Sequence, residues 1–311
     1  MNKFGKSSRD WRGFREIAKL FRVTFALHEG WTQQIVQIGA NPDGGMSACG
    51  TQSRRSRNVS VRMRKIAAGM FWGWMAMVPE LNASSPLERT LAFQGTSFRI
   101  VEAQPSDVRL FWLNPETRKP FRQFRGLQDF LTVRGERLRF VMNGGLFEAD
   151  GSPCGLLVAD GKTLRPLNLK DGQGNFYLKP NGVFLISGNR ARIVSSEEFA
   201  ASRPDVRLAI QSGPLLLRRG RIHPAFRKES TNQLHRNGVG VRRDGTIVFA
   251  ITVFDQERRA NLHHFAEFFH SLGCDDALFL DGDLSQMFTD PEGAIPAGNF
   301  FGTIFAITAP E

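Results

Sequence analysis

From about Leu91 onward, short apolar runs are separated by two-residue turn signals, and this cadence limits the chain to folds built from hairpins. In "GLLVADGKTLRPL" the pair Asp160 and Gly161 divides two apolar runs. Gly188 and Asn189 do so in "GVFLISGNRARIV", and Asp244 and Gly245 in "GVGVRRDGTIVFAITVF". Such pairs accept the positive φ angles of a tight antiparallel connection, so each predicts a hairpin. "RLAIQSGPLLLRRGRI" reads as one more. "DVRLFWL", "LRFVMN" and "FFGTIFAIT" read as strands. Helical spacing occurs in "FRQFRGLQDFL", with Phe121, Phe124, Leu127, Phe130 and Leu131 in phase, and in "ANLHHFAEFFHSLG", where Leu262, Phe265, Phe269 and Leu272 share a face before a glycine stop at Gly273. Ser195 followed by Glu198 is a capping box that predicts a short helix over 196–202. Hairpins outnumber helices and the two do not alternate strictly. The expectation is an α+β fold: a mixed, largely antiparallel β-sheet with packed helices, in a single domain over residues 91–309.

The net charge of +11 on 311 residues suggests a polyanion partner until its location is examined. Residues 1–65 hold 13 Lys+Arg against 4 Asp+Glu, and the rest holds 28 against 26. A near-neutral body argues against a broad phosphate-backbone face, so no nucleic-acid partner is expected. Within the basic part, "RMRK" precedes "IAAGMFWGWMAMV", thirteen residues without charge, and then "PELNASS". That order is the pattern of a secretory signal peptide, and the apolar run is short for a bilayer span. Residues 63–83 are therefore read as signal-peptide-like with cleavage around Ala83. Residues 1–62 are read as a mis-called or disordered extension. The expected location is periplasmic or secreted, with no stable membrane span in the mature protein. A membrane anchor or a buried helix is the other reading of the apolar run.

Cys49, Cys154 and Cys274 show no C-x-x-C spacing, and sequence leaves open whether the last two pair. His263, Glu267 and His270 share a helical face, but without a third ligand at diagnostic spacing that face reads as solvated. No cofactor and no metal site are expected; a divalent ion is left open.

Candidate chemistry lies where apolar strands run into polar, glycine-containing turns. Three stretches do this: "FVMNGGLF" with Asn143, Gly144 and Gly145; "LAIQSGPLLL" with Gln211, Ser212 and Gly213; and "LFLDGDLSQMF" with Asp281, Asp283 and Ser285. Glycine lets backbone N–H groups approach a ligand, and three such strand ends could surround one. Taken singly, each reads as an ordinary turn. A basic loop, "RKESTNQLHRNGVGV", carries Arg227, Lys228, His235 and Arg236, and Lys179 in "YLKPNGVF" could add a point charge toward a phosphate.

In this order and spacing, "MNGGLF", "QSGPLLL", "HRNGVGV" with "DGTIVFAI", and "LFLDGDLSQMF" resemble the phosphodiester glycosidase family, which includes the uncovering enzyme. The likeness is greatest to its bacterial periplasmic branch, for which "GNFYLKPNGVF" and text like "IHPAF" are also typical. It covers about Leu91 to Ile307. The resemblance implies hydrolysis of a sugar-1-phosphodiester, at the bond from the anomeric carbon to a phosphate oxygen. Residue by residue it matches Asn143, Gly144, Ser212, Gly213, Arg236, Asp281 and Ser285. With the strand-end and basic-loop readings above, Asp281, Asn143 and Arg236 are expected in catalysis, and Gly144, Gly145, Lys179, Gln211, Ser212, Gly213 and Ser285 in binding of a glycan or sugar-phosphate. Where many members read Asp-Gly-Gly-Gly-Ser, this chain has Asp283 and Leu284. A non-catalytic envelope module that binds a glycan or anionic wall polymer is the alternative.

Overall fold

The chain was examined as a computed structural model that describes residues 87–257 and 259–311. The signal-like segment 63–83 and the extension 1–62 lie outside the described residues. The described residues fall in one compact unit.

Sixteen strands form three sheets, and every strand pair within them is antiparallel. The largest has seven strands: β1 (Glu88–Phe93), β2 (Thr96–Ala103), β13 (Ile247–Thr252), β12 (Asn237–Arg242), β14 (Cys274–Asp281), β10 (Leu215–Arg218) and β11 (Arg221–Ile222), in that spatial order. A second is ordered β15 (Met287–Thr289), β4 (Glu136–Asn143), β16 (Ile304–Pro310), β3 (Arg109–Phe111). The third is ordered β6 (Lys162–Arg165), β5 (Leu157–Ala159), β9 (Leu208–Ser212), β7 (Gly182–Ser187), β8 (Arg190–Ser195). Three antiparallel sheets thus stand where one mixed sheet was expected; the α+β, mostly β character holds.

Period-two alternation explains how the sheets share a core. On β13, Ile247, Phe249 and Ile251 join Phe140 of β4, Phe184 of β7, Leu278 of β14 and Phe305 of β16 in one buried cluster, while Val248 and Ala250 face the other way. The rings of Phe140 and Phe305 each lie 5.0 Å from that of Phe249, within the range of favourable aromatic pairs. Each sheet then covers its outer face with one helix. Helix α1 (Phe124–Thr132) buries Phe124, Leu127 and Leu131 against Leu138, Val141 and Ile304. Helix α2 (Ser196–Ser202) carries the predicted capping box, with Glu198 N–H donating to Ser195 Oγ and Ser195 N–H to the Glu198 carboxylate, and sets Phe199 on Val183, Leu185 and Ala209. Helix α3 (Leu262–Ser271) packs Phe265, Phe268 and Phe269 onto Phe98, Val248 and Phe279.

The alternation of glycine and valine in "GVGV" has a clear reason. Val239 and Val241 fill the shared core, whereas Gly238 and Gly240 face α3. A Cβ on Gly240 would come 2.7 Å from Cys274 Sγ and 2.7 Å from the Phe269 ring, so the helix sits where only hydrogen leaves room.

The hairpins at Asp160–Gly161, Gly188–Asn189 and Asp244–Gly245 all form. "RLAIQSGPLLLRRGRI" is a correction. Its first half, β9, belongs to the five-stranded sheet, and its second half makes the β10–β11 hairpin of the seven-stranded one. Gly213–Pro214 is a crossing between sheets, because proline cannot supply the N–H that a continuing ladder needs.

Candidate active site

Asp281 ends β14, and a bulge decides where it points. Gly238 of β12 pairs with Phe279, yet the next residue, Asn237, pairs with Asp281, so Leu280 is the extra residue on β14. Unbroken alternation would put Asp281 on the α3 side with Phe279; the extra residue turns it to the side of Asn237, toward the shared core. There Asn143 Nδ2 donates to Asp281 Oδ2 at 3.0 Å and Gly282 N–H donates to Oδ1 at 2.8 Å. Asn143 is held in turn. Its carbonyl and Oδ1 accept from Asn237 Nδ2 at 2.9 and 3.1 Å, and Oδ1 also accepts from Gln286 N–H at 3.0 Å. Asn237 Oδ1 accepts from Asp281 N–H at 2.7 Å, which closes the ring of bonds. Since Asn143 Oδ1 receives two donors, its Nδ2 must face the carboxylate.

Burial pushes the Asp281 carboxyl up to about 6, against the two hydrogen bonds that favour its anion, and the nearby Asp283 charge adds to the rise. Near neutrality it is therefore a carboxylate with its proton within easy reach.

The other glycine turns close around this point. A Cβ on Gly144 would meet Thr303 Oγ1 at 2.2 Å, and one on Gly145 would meet Ser212 at 3.0 Å. Ser212 Oγ donates to the Leu280 carbonyl at 3.2 Å and accepts from Leu146 N–H at 3.4 Å, joining all three strand ends. Gly213 packs on the Asn175–Asn181 loop. Ser285 lies buried beyond Gly282, its N–H on the Gly282 carbonyl at 2.9 Å.

Three expected site residues are turned elsewhere. Gln211 alternates with Ser212 and spends its amide on Leu156, Asn168 and Ser196, so it braces the β5 loop. Arg236 alternates with Asn237 and faces α3. It is 1% exposed, donates to the Ala260 and Asn232 carbonyls at 2.7 and 2.9 Å, and stacks over Phe279. Burial lowers it to about 10, so it stays a cation. Lys179 is exposed and bound to Asp171 at 2.6 Å and the Leu169 carbonyl at 3.2 Å. None of these bonds reaches Asp281.

Sequence reasoning passed over four residues near the site. Asn237 carried a signal, as a polar residue opening an otherwise apolar Gly-Val strand. Thr303, Cys154 and Arg165 carried none. Cys154 is half-buried and unpaired, as is the buried Cys274. Burial, with the Glu148 and Asp281 carboxylates nearby, pushes the Cys154 thiol up to about 12, which rules it out as a thiolate nucleophile. Arg165, half-buried at the end of β6, acts on the same thiol with its positive charge. Among the described residues no group of three His, Cys, Asp or Glu is placed to hold a metal ion, and His263 instead contacts Glu267 at 3.5 Å.

Comparison with known proteins identifies the family. The model of the phosphodiester glycosidase family matches residues 136–301, a span that contains Asn143, Ser212, Asn237, Asp281 and Ser285. Among curated proteins, an Escherichia coli (strain K12) protein named YigE is 31% identical over 197 residues, 63% of this chain and 74% of that one. Among solved structures, the catalytic domain of zebrafish N-acetylglucosamine-1-phosphodiester alpha-N-acetylglucosaminidase, auto-inhibited by its pro-peptide, superposes with a TM-score of 0.50. It is 16% identical and covers 72% of this chain and 84% of its own, a likeness of fold. With over half of the chain inside the family model and every strand-end motif within that span, this protein belongs to the phosphodiester glycosidase family.

Proposed function

We propose that the chain hydrolyses a sugar-1-phosphodiester at the bond between the anomeric carbon and the phosphate oxygen. The observation that carries the reading is Asp281: a buried carboxyl raised to about 6, with both oxygens oriented, at the meeting point of three glycine-bearing strand ends. The chemistry suits one such group. A phosphate monoester is a good leaving group, since its second pKa is about 6, so the C1–O bond can break without strong proton donation. Asp281 as carboxylate then stabilises positive charge at C1 and accepts a proton from the attacking water. Sugar hemiacetal and phosphomonoester leave. Asn143 and Gly282 fix the carboxylate, and Asn237 fixes Asn143.

Arg236 and Lys179 are both engaged away from Asp281, so neither serves as the phosphate clamp from the position it holds. The acidic Asp283 and the occupied cations favour one rival, a glycan-binding module without turnover. The export reading of residues 63–83 places either activity in the cell envelope.

One assay tests these readings. Purified protein is incubated with an N-acetylglucosamine-1-phosphodiester and released sugar is measured. Asp281→Asn is expected to lower kcat by about 10²-fold or more, the scale of a lost general base. An unchanged kcat in Asp281→Asn defeats the catalytic assignment, and bound but uncleaved substrate in the unaltered protein points to the module.

A further inference from the structure

A groove of about 550 Å3 begins two residues beyond Asp281, between the 283–288 segment and the residues that follow β13. We propose that it is a subsite for the uncharged pyranose ring of the substrate, with Phe254 as its platform.

Phe254 is 54% exposed, unusual for so large an apolar side chain, yet its ring is pinned. The His235 ring lies perpendicular to it at 5.1 Å and the Arg259 guanidinium lies 5.2 Å over it, so the ring is held in place while more than half of the residue stays open to solvent. Leu284, which lines the same groove, is 46% exposed and its carbonyl is held by Asn299 Nδ2 at 2.9 Å. An exposed ring and an exposed aliphatic side chain in one groove offer apolar surface to the C–H face of a sugar ring.

The polar groups define the occupant further. Ser285 lines the groove and is 5% exposed, and its buried Oγ has no hydrogen-bond partner, a hydroxyl left unspent just behind the groove surface. Asp255 and Asp283 add acidic edges, whereas the lining cation Arg99 is already paired with Glu88. The two carboxylates offer acceptors and the Arg259 guanidinium over Phe254 offers donors, so the groove suits a ring that presents hydroxyl groups around an apolar face. Asp283 and Leu284 build one rim of the groove.

The subsite depends on the hydrolytic reading only for its link to Asp281, and binding is measured apart from turnover. Saturation-transfer NMR with methyl α-glucoside and methyl α-N-acetylglucosaminide is applied to the unaltered protein, Phe254→Ala, Leu284→Gly and Asp281→Asn. At least one glycoside is expected to receive saturation from the unaltered protein and from Asp281→Asn, with affinity at least tenfold lower in both groove variants. Leu284→Gly serves alone if Phe254→Ala melts early. Contact with neither glycoside, or equal affinity in the groove variants, overturns the proposal. Intact binding without sugar release would instead count against hydrolysis alone.

Discussion

At Asp281 the same burial that prepares a base costs stability, and the cost has a pH signature. Its carboxyl titrates near 3.8 when solvated and about 6 when folded. Below pH 3.8 both states are protonated and nothing is lost. Between those values the folded state holds the proton more tightly, so stability falls as pH rises, and above 6 the full penalty applies. A shift of about two units corresponds to about 3 kcal/mol. Asn at this position does not titrate, and its amide must face the Gly282 N–H or the Asn143 amide with a donor, a loss of about 1 kcal/mol that is independent of pH. Denaturant unfolding of both proteins is therefore expected to give a difference that moves by about 2–3 kcal/mol in favour of Asp281→Asn from pH 4 to pH 7.5. A flat difference would mean that Asp281 is not desolvated. Sequence pointed to Asp281 and Asn143 because an apolar strand ran into a polar glycine turn. It misplaced Arg236, because neither the bulge at Leu280 nor the alternation between Arg236 and Asn237 is visible until strands are paired.

Elements were legible where local chemistry decides them, as at the hairpin dipeptides and the Ser195 capping box. Where partners decide, the reading failed: the Gly213–Pro214 crossing looks like a turn until β9 and β10 are assigned to separate sheets. The Gly-Val alternation of β12 lies between these cases, since it signals a one-sided strand but not what occupies the glycine side. With Cys274 Sγ and the Phe269 ring 2.7 Å from the position of an added methyl, Gly240→Ala forces α3 outward. Overpacking of this kind costs about 1–3 kcal/mol, and the expected result is a lower melting temperature with kcat unchanged at permissive temperature, because the Asp281 ring of bonds lies on the opposite face. Gly245→Ala, with open space around it, isolates the cost of positive φ without a clash.

For the molecule as a whole, the question is where its charge resides. Most of the +11 falls in residues 1–65, ahead of the apolar run from Ile66 to Val78, and the chain beyond is close to balance. Half of the described arginines pair with acidic neighbours, as Arg242 does with Glu102, Arg218 with Asp276 and Arg243 with Asp275. Among the described residues no helix is long and apolar enough to cross a membrane. Export with cleavage around Ala83 would remove the basic segment and leave a protein without the counter-ion-releasing surface that holds proteins on nucleic acid. Expressed from the full sequence in a Gram-negative host, the protein is expected in the periplasmic fraction with its N-terminus near Ser84, and in that form to pass through a DNA column at low salt. A periplasmic product that still carries residues 54–65, or a processed one retained on DNA, would show that the charge is part of the working molecule.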